Sequence, residues 1–370
     1  MNPFIYGRPV TGSDFFNCDL RLKEIIGLIE SSRYILIWGE RGAGKTSLCL
    51  EAARRCPQTR LLTISLRGLK STDDLCRRII KRVIHLEKDT PWLDKVIKTL
   101  IYLRPSLSVD PVMGITAVGL DGTLDLSQES LEDVFDLLES LFKKRRLLVV
   151  FDDFQDILAV DEVADLLVRF RQRMLFQSEI LYIFIVRGQR PLERLFKDDR
   201  SPLKGTVRTV AAEPFSEDLW SAFLSGRFAS NGRRIAPTTM QQLLASSGLL
   251  PGHSQKLCGA LWDITAEGDE ITRPQITKAL EFIGSRESDH YGQIVNLLTE
   301  FQMKCLDAIA RQGGKRVFSV AFLKAAGFHN PSSVQRAVGR LLNLDILEEN
   351  QEGYRFVDPF FRAWLLTNHG

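Results

Sequence analysis

Residues 34–50 read YILIWGERGAGKTSLCL and set the architecture of the chain. Residues 34–38 are aromatic, aliphatic or β-branched, as expected of a buried strand. Residues 39–46 then match the pattern G-x-x-x-x-G-K-S/T without a gap, and a helical pattern free of Gly and Pro begins at Ser47. Strand, glycine-rich loop and helix follow in the order of a phosphate-binding loop, so the sequence predicts a nucleotide site here.

The residue types of this loop suit phosphate binding. Glycines let the backbone approach an anion closely, while consecutive N–H groups and the start of a helix attract its negative charge. Lys45 supplies a positive charge to the β- and γ-phosphates, and the Thr46 hydroxyl is a ligand for Mg²⁺. The predicted nucleotide-binding residues of the loop are Gly39, Glu40, Arg41, Gly42, Ala43, Gly44, Lys45, Thr46 and Ser47.

A second functional segment is the acidic end of an apolar run, LLVVFDDFQD at residues 147–156. Asp152 follows five apolar residues and is predicted to hold Mg²⁺ through water, while Asp153 lies where a carboxylate could orient an attacking water. An acidic pair after a strand can also begin a helix as its N-cap. Asp156 is expected to cap a helix or face solvent.

The composition is that of an ordinary globular protein. The 370 residues predict two or three domains, and a net charge of +3 neither requires nor excludes a nucleic acid partner. Six scattered cysteines without a C-x-x-C pair argue against a zinc site or a disulfide framework. No signal peptide and no apolar run of about 20 residues is evident. We therefore expect a cytoplasmic protein.

Seven segments spread from residue 2 to residue 365 carry a family resemblance. They are NPFIYGRPVTGSDFFNCDLRLKEI (2–25), GERGAGKTSL (39–48), VVFDDFQD (149–156), YIFIVRGQRPLERLF (182–196), SPLKGTVRTVAAEPFSEDLWSAFLSGRF (201–228), QKLCGALWD (255–263) and SSVQRAVGRLLNLDILEENQEGYRFVDPFFRAWL (332–365). Together they resemble the archaeal-type ATPase family, a group of STAND-class P-loop ATPases allied to AAA+ and origin-recognition ATPases. The resemblance covers nearly the whole chain.

The resemblance and the residue pattern predict the same α/β architecture. Strands alternating with helices over residues 1–213 indicate a P-loop NTPase core of the ASCE/AAA+-like type with a parallel sheet, interrupted by an inserted hairpin at about 104–127. Residues 214–285 are wholly helical in pattern and are predicted to form a helical lid. Residues 286–370 predict a winged helix, with helices at 292–311, 319–325 and 332–344 before a hairpin at 346–358.

The resemblance also carries expectations for single residues. It implies that residues 9–17 line the adenine pocket and that Pro251 is a lid proline near the nucleotide. Three residues depart from the family pattern: Cys18 stands where Arg is usual, Arg187 where a small polar sensor is usual, and Asp153 where many AAA+ members have Glu. Because Asp-Asp is common in the STAND class, we expect slow hydrolysis. His253 is expected to lie in a turn.

A basic segment at residues 187–208 contains seven Lys/Arg against three Asp/Glu. In related ATPases the helix before the last core strand meets a neighbouring subunit's nucleotide, where an arginine finger stabilises transition-state charge. Arg194 and Arg200 are our candidates for this catalytic role, which would require a homo-oligomer. A solvated basic face is the alternative interpretation.

The predicted recognition helix of the winged helix, PSSVQRAVGRLLN, offers a second functional hypothesis. Basic and hydroxyl side chains at helical spacing could contact phosphates or guanine edges of double-stranded DNA. The wing also carries three glutamates, which would repel phosphate, so docking of a protein or autoinhibition is the alternative. The possible DNA contacts are Lys315, Arg316, Ser333, Arg336 and Arg340.

These observations predict a Mg²⁺-dependent, ATP-binding ATPase that acts as a nucleotide-regulated switch, with ATP and Mg²⁺ as cofactors. The predicted catalytic residues are Lys45 and Asp153, joined by the arginine candidates. The alternative is a nucleotide-gated DNA-binding or scaffold protein with negligible hydrolysis that acts through its winged helix. The pathway is left open by the sequence.

Overall fold

The computed structural model describes residues 2–16, 19–86, 130–141, 146–177, 179–212, 216–350 and 352–368. Two units emerge from the contacts of the chain. The sheet unit comprises Asn17–Gly39 and Lys45–Ala212, and the lid–wing unit comprises Met1–Phe16, Glu40–Gly44 and Glu213–Gly370. The hairpin predicted at residues 104–127 and the departure at Cys18 lie outside the described residues. The domain boundaries after residues 213 and 285 remain predictions.

The sheet unit is built on parallel strands, which the described residues arrange in the order β2-β3-β4-β1-β5. The apolar runs become buried strands because a parallel sheet covered on both faces has no solvent-facing side. All positions of Leu147–Phe151 are fully buried. The strands are β1 (Tyr34–Gly39), β2 (Thr59–Ser65), β3 (Arg146–Asp152), β4 (Ile180–Arg187) and β5 (Arg208–Ala211).

Helices and an aromatic cluster complete the sheet unit. Phe151, Phe154, Phe170 and Phe184 pack with ring centroids 4.6–6.2 Å apart, which fixes the ends of β3 and β4 against each other. The predicted parallel α/β core is confirmed. Its helices are α1 (Asp19–Ser31), α2 (Lys45–Arg54), α3 (Thr72–Leu86), α4 (Ser130–Leu141) and α5 (Val163–Phe176), followed by the short helical turns Gln189–Leu192 and Glu193–Lys197.

The lid part of the lid–wing unit is mainly helical but contains one feature the sequence prediction missed. Strand β6 (Arg234–Ile235) pairs in parallel with β7 (Glu270–Ile271). The prediction of a wholly helical lid is therefore wrong at this point, because strands of two residues are too short to show an apolar–polar alternation. The helices are α6 (Glu217–Ala229), α7 (Pro237–Ser246), α8 (Pro251–Ile264) and α9 (Arg273–Arg286).

The C-terminal part of this unit has the predicted winged-helix elements, with one correction. The single helix predicted over residues 292–311 is two helices, because Thr299 and Gln302 form a capping box that starts a new helix. The elements are α10 (Ser288–Asn296), α11 (Glu300–Gln312), α12 (Val320–Ala325), α13 (Pro331–Asn343), β8 (Leu347–Asn350), β9 (Gly353–Phe356) and α14 (Pro359–Asn368). Among the described residues, no helix has the length and apolarity that crossing a bilayer demands.

Candidate functional site

The glycine-rich loop joins the end of β1 to the start of α2. Gly42 and Gly44 have φ angles of 82° and 80°, a backbone conformation that strains residues with a Cβ. Lys45 is only 6% exposed, and its Nζ donates a hydrogen bond to the Gly39 carbonyl at 3.1 Å. The ammonium group is thus held inside the turn, at the position a phosphate-binding cation needs.

Thr46 and Asp152 meet at the carboxyl end of the sheet. The Thr46 hydroxyl donates to Asp152 Oδ2 at 2.9 Å, although the two residues lie 106 positions apart in the chain. Burial raises the pKa of Asp152; the Thr46 hydrogen bond opposes this shift, and the charge of Asp153 adds to it. In open α/β sheets ligands bind beyond these strand ends, so the pair lies where a bound phosphate is expected.

The Thr46–Asp152 pair has the donor chemistry that Mg²⁺ prefers. Mg²⁺ takes oxygen ligands, keeps several waters, and is commonly bound by one or two protein oxygens together with substrate phosphates. Groups of three or more His, Cys, Asp or Glu suited to a metal are absent from the described ranges. An ion at this position would therefore complete its shell with phosphate oxygens and water, and the residues present fit that arrangement.

Asp153, the predicted water-orienting acid, is engaged by a cation from the neighbouring strand. Arg187 Nε donates to Asp153 Oδ1 at 2.9 Å, and Gln155 Nε2 donates to the same oxygen at 3.3 Å. The backbone N–H of Arg187 donates in turn to Gln155 Oε1 at 3.0 Å. Sequence reasoning missed Gln155 entirely and left Arg187 without a partner. A sequence signal for this contact exists: β3 and β4 are neighbouring parallel strands, and both end in polar residues.

In the lid–wing unit, the loop segment Glu40–Gly44 contacts the first turn of α8. The Gly42 carbonyl accepts a hydrogen bond from Gly252 N–H at 2.9 Å, and a Cβ on Gly252 would lie 3.2 Å from the Gly42 Cα. Pro251 is buried at the start of the same helix. The lid proline thus lies next to a loop contact, although its role toward a nucleotide remains a prediction.

His253 is placed differently from the prediction. It lies in the first turn of α8 rather than in a loop turn, because Pro251 is a favoured first residue of a helix. Its Nε2 is 3.4 Å from the point a Gly42 Cβ would occupy, and its ring meets Phe360 edge-on at 5.9 Å. Burial lowers the pKa of His253 to about 4, so the imidazole is neutral at pH 7.

A cavity of about 490 Å³ adjoins these residues within the lid–wing unit. The loop contributes Arg41, the N-terminal segment Tyr6, and α8 contributes His253 and Lys256 to its wall. Asp358 also lines it; its carboxylate accepts from the Tyr291 hydroxyl at 2.9 Å and caps α14 through the Phe360 N–H at 2.8 Å. The cavity therefore combines cationic, anionic and aromatic walls.

Comparison with known domains identifies the core. Residues 29–196 match the family described as "AAA domain", and residues 289–367 match the family described as "Probable winged helix domain". The chain carries an AAA domain. No curated protein matches the chain. The two domain matches confirm the predicted AAA-type core and the C-terminal winged helix.

Three archaeal proteins of known structure have a fold similar to that of this chain. The Walker-type ATPase PABY2304 of Pyrococcus abyssi is 18% identical, with a TM-score of 0.67 over 97% of this chain and 99% of that one. The Aeropyrum pernix ORC2 protein is 12% identical with a TM-score of 0.55, covering 97% and 96%. The Aeropyrum pernix ORC1 protein, solved in complex with DNA, is 15% identical with a TM-score of 0.51, covering 95% and 93%. At these identities the likeness concerns the fold.

Both candidate arginine fingers are exposed, and Arg200 is paired with an acid. The Arg200 side chain is 90% exposed and pairs with Asp198 at 3.0 Å, and this guanidinium lowers the pKa of Asp198 to about 2. Arg194 is exposed on the helical turn Glu193–Lys197. Their contact with a neighbouring subunit remains a prediction.

Among the predicted DNA contacts, the basic residues differ in whether an acidic side chain pairs with them. Arg336 and Arg340 are exposed on α13, and Ser333 accepts from Arg336 at 3.4 Å. Lys315 pairs with Glu352 of the wing at 2.8 Å. Arg316 is exposed and has a φ of 51°. The recognition helix therefore exposes its two arginines to solvent. Glu352 of the wing neutralises the charge of Lys315.

Arg355 is a wing residue that sequence reasoning missed. From β9 it forms ion pairs with Glu348 of β8, at 2.7 Å, and with Glu40 of the glycine-rich loop. Both partners belong to the lid–wing unit. No local pattern links Arg355 to Glu40, since the two residues lie at opposite ends of the chain.

Proposed function

We propose that this AAA protein is a Mg²⁺-dependent ATPase that works as a nucleotide-regulated switch with slow hydrolysis. The observation that carries the proposal is the 2.9 Å hydrogen bond between Thr46 Oγ1 and Asp152 Oδ2. It brings the residue after the loop lysine next to the acid that ends β3. That pairing is expected where a metal-bound triphosphate is held.

The roles of the side chains follow from their chemistry. Lys45, held in the turn by the Gly39 carbonyl, would bind β- and γ-phosphate oxygens. Mg²⁺, held by Thr46 and Asp152, would neutralise charge on the same oxygens. Asp153 would accept a proton from water while the water oxygen bonds to the γ-phosphorus. The bond from that phosphorus to the bridging oxygen breaks, its electron pair stays on ADP, and inorganic phosphate leaves.

The switch rests on the difference between ATP and ADP. A ligand shifts a conformational equilibrium only by its differential affinity for the two states, and the γ-phosphate is the group that differs. In the lid–wing unit the loop segment Glu40–Gly44 touches Gly252 and Arg355. These contacts support a role for the lid and the winged helix in reporting the state of the loop.

The test is the binding of ATP to the full-length protein by calorimetry, with Mg²⁺ and then with EDTA, followed by phosphate release. We expect binding that needs Mg²⁺ and turnover slower than about 1 s⁻¹, the lower end of typical enzyme turnover. Thr46→Val should weaken the Mg²⁺ dependence, whereas Thr59→Val, on β2 away from the loop, should not. Equal ATP binding with and without Mg²⁺ would overturn the metal role.

DNA binding by the winged helix is a second candidate function. It is favoured by α13, which contains no acidic residue and exposes Arg336 and Arg340. The Aeropyrum pernix ORC1 protein was solved in complex with DNA. We expect the full-length protein to bind duplex DNA at low salt, and the Arg336→Ala/Arg340→Ala variant to lower the salt slope by about 2. Absence of binding at low salt would dismiss this candidate.

Assembly and location complete the proposal. A finger role for Arg194 or Arg200 requires a homo-oligomer, which mass measurement in solution with and without ATP would detect. A monomer under both conditions would remove the finger role. The five cysteines in the described residues are buried free thiols, which suits the reducing cytoplasm that we propose as the location.

A further inference from the structure

Two large apolar side chains of the winged helix are exposed beside its cations. Phe318 is 40% exposed and Val320 is 82% exposed, at the turn that leads into α12. Scattered exposed apolar residues are normal, whereas apolar groups clustered inside a polar rim mark binding surfaces. Lys315 and Arg316 form such a rim, since both are exposed just before Phe318. The turn is therefore a candidate binding surface.

Backbone contacts fix the position of Phe318. Its neighbour Val317 is buried, and the Arg316 carbonyl accepts from the Ser319 N–H at 2.8 Å. The Ser319 hydroxyl then caps α12 by accepting from the Phe322 N–H at 3.3 Å. Arg316 has a left-handed φ of 51°, a strained conformation that persists where the surrounding structure imposes it and that clusters at ligand-binding sites. The ring of Phe318 is thus presented from a well-defined turn.

The wing adds a second aromatic side chain to this surface. Tyr354 of β9 meets Phe318 edge-on, with ring centroids 5.9 Å apart, and the Tyr354 N–H donates to the Gly314 carbonyl at 2.9 Å. This close approach requires glycine, because a Cβ on Gly314 would overlap the Tyr354 carbonyl oxygen, and a Cβ on Gly353 would overlap the Gly314 carbonyl. We name Phe318, Val320 and Tyr354 the aromatic platform.

The charges around the aromatic platform suit bases better than a phosphate backbone. Lys315 pairs with Glu352 at 2.8 Å, and Glu349 lies opposite Tyr354 in the register of β8 and β9. Acids at these positions repel phosphates that would lie along the wing. A base, in contrast, has an uncharged π-face that stacks on aromatic side chains whatever its identity.

We propose that the aromatic platform binds unpaired bases, so that the winged helix recognises the junction between duplex and single-stranded DNA. Arg336 and Arg340 of α13 hold the duplex phosphates, Phe318 stacks on an unpaired base, and Arg316 contacts the phosphate of that nucleotide. This inference rests on the proposed DNA binding by the winged helix and extends it to an unpaired strand. Stacking of this kind binds without sequence preference.

The test measures the affinity of the full-length protein for three labelled DNA probes by fluorescence anisotropy at low salt. The probes are a blunt duplex, the same duplex with a single-stranded thymidine tail, and the same duplex with an abasic tail of equal length. Both tails carry the same phosphates, so the ratio of their affinities reports the bases alone. We expect the thymidine tail to bind about five- to tenfold more tightly than the abasic tail, the lower end for one stacked base.

Variants of Phe318 separate stacking from apolar contact. Phe318→Leu keeps a large apolar side chain and should reduce the ratio to below about twofold, because leucine has no π-face. Phe318→Tyr should retain the ratio, and both variants should bind the blunt duplex like the wild type. Phe301→Leu is the matched control: Phe301 of α11 is an exposed ring of the same domain, 37% exposed, and its replacement should leave the ratio unchanged.

The possible negative results have different meanings. Equal affinity for the two tails in the wild type would overturn the stacking role and leave duplex binding intact, and this comparison requires no variant to fold. A full thymidine preference in folded Phe318→Leu would also overturn it. Absence of DNA binding at low salt would overturn the proposed DNA binding and this inference together, and would favour a protein as the partner of the aromatic platform.

Discussion

The carboxyl end of the sheet and the surface of the winged helix use charge in opposite ways. In the sheet unit, Thr46 reaches Asp152, and Arg187 reaches Asp153, from segments far apart in the chain. In the winged helix, Lys315, which precedes α12, pairs with Glu352 of the wing, and Arg355 of β9 pairs with Glu348 of β8. The first arrangement brings unlike side chains together at one edge of the sheet, and the second neutralises cations by acids of the same domain.

The difference shows which charges can serve a ligand. Parallel strands deliver their ends to one edge, so polar residues there converge whatever their separation in sequence. Exposed pairs within one surface element are screened by water and contribute little. A count of basic residues alone therefore overstates the capacity of the winged helix to bind phosphate, whereas a few residues at the strand ends are close enough to act on one ligand.

The largest effect that would test this contrast is on turnover. Asp153→Asn should lower phosphate release at saturating ATP by about 10²- to 10⁴-fold, the usual contribution of a general base, and should retain ATP binding. Asp161→Asn, at an exposed acid of the same chain segment, is the control and should turn over normally. Normal turnover in Asp153→Asn would remove this acid from the mechanism.

The next effect concerns the cation of the loop. Lys45→Ala should weaken ATP binding by at least about 100-fold, or ~2.7 kcal/mol, because the buried ammonium is the loop's point charge for phosphate. Lys81→Ala, an exposed lysine of α3, should leave affinity unchanged. Calorimetry checks both variants after their melting temperatures are compared. Wild-type affinity in Lys45→Ala would mean that the loop does not cradle phosphate.

A third effect tests a buried group of the lid–wing unit. The pKa of His253 is about 4, lowered by burial and by Arg41, Lys256 and Arg355, and raised in part by Asp358. Between pH 4 and 6.5 the unfolded chain, whose histidine pKa is near 6.5, binds more protons than the folded chain. The contribution of neutral His253 to stability is therefore complete above about pH 6.5 and is lost as the pH falls toward 4. We expect a loss of about 2 kcal/mol from pH 7 to 5.

The measurement for His253 is denaturant unfolding at pH 7 and pH 5. Other groups titrate in both proteins, so the comparison is with His253→Gln, which carries no titrating group at this position. The variant should lose less stability than the wild type over the same interval. An identical pH dependence in the two proteins would contradict a buried neutral imidazole.

The smallest effect concerns self-neutralisation in the wing. Glu352→Gln should free Lys315 and tighten duplex DNA binding at low salt by about two- to threefold, as expected of one exposed pair. Glu349→Gln changes the net charge equally from a neighbouring wing position and serves as the control in an anisotropy titration. Equal gains for both variants would show that total charge matters and that the Lys315–Glu352 pair does not.

Much of the fold could be read from local pattern. The strands predicted at residues 34–38 and 147–151 agree with β1 and β3 to within one residue at each end, because buried parallel strands are continuous apolar runs. The apolar period of 3.6 runs through both α10 and α11 and so predicts one helix, whereas the capping box at Thr299 starts a second one. The β6–β7 pair has too few residues to leave a pattern.

The candidate site could be predicted only in part. Lys45 and Thr46 belong to a loop motif, and Asp152 ends an apolar strand. Their residue types and spacing are therefore enough to predict them as site residues. Gln155 and His253 have no such context. Their positions depend on which backbone groups lie opposite them after folding, the Arg187 N–H for one and Gly42 for the other.

By itself, the sequence determined the strand–loop–helix order around the glycine-rich turn and the acids at the end of β3, because hydrophobic period and glycine placement act over a few residues. Only the tertiary structure decided which charges meet: Arg187 with Asp153, Arg355 with Glu40, Lys315 with Glu352. Ion pairs and hydrogen bonds form between groups that are close in space, and these distances depend on how segments far apart in the sequence pack together.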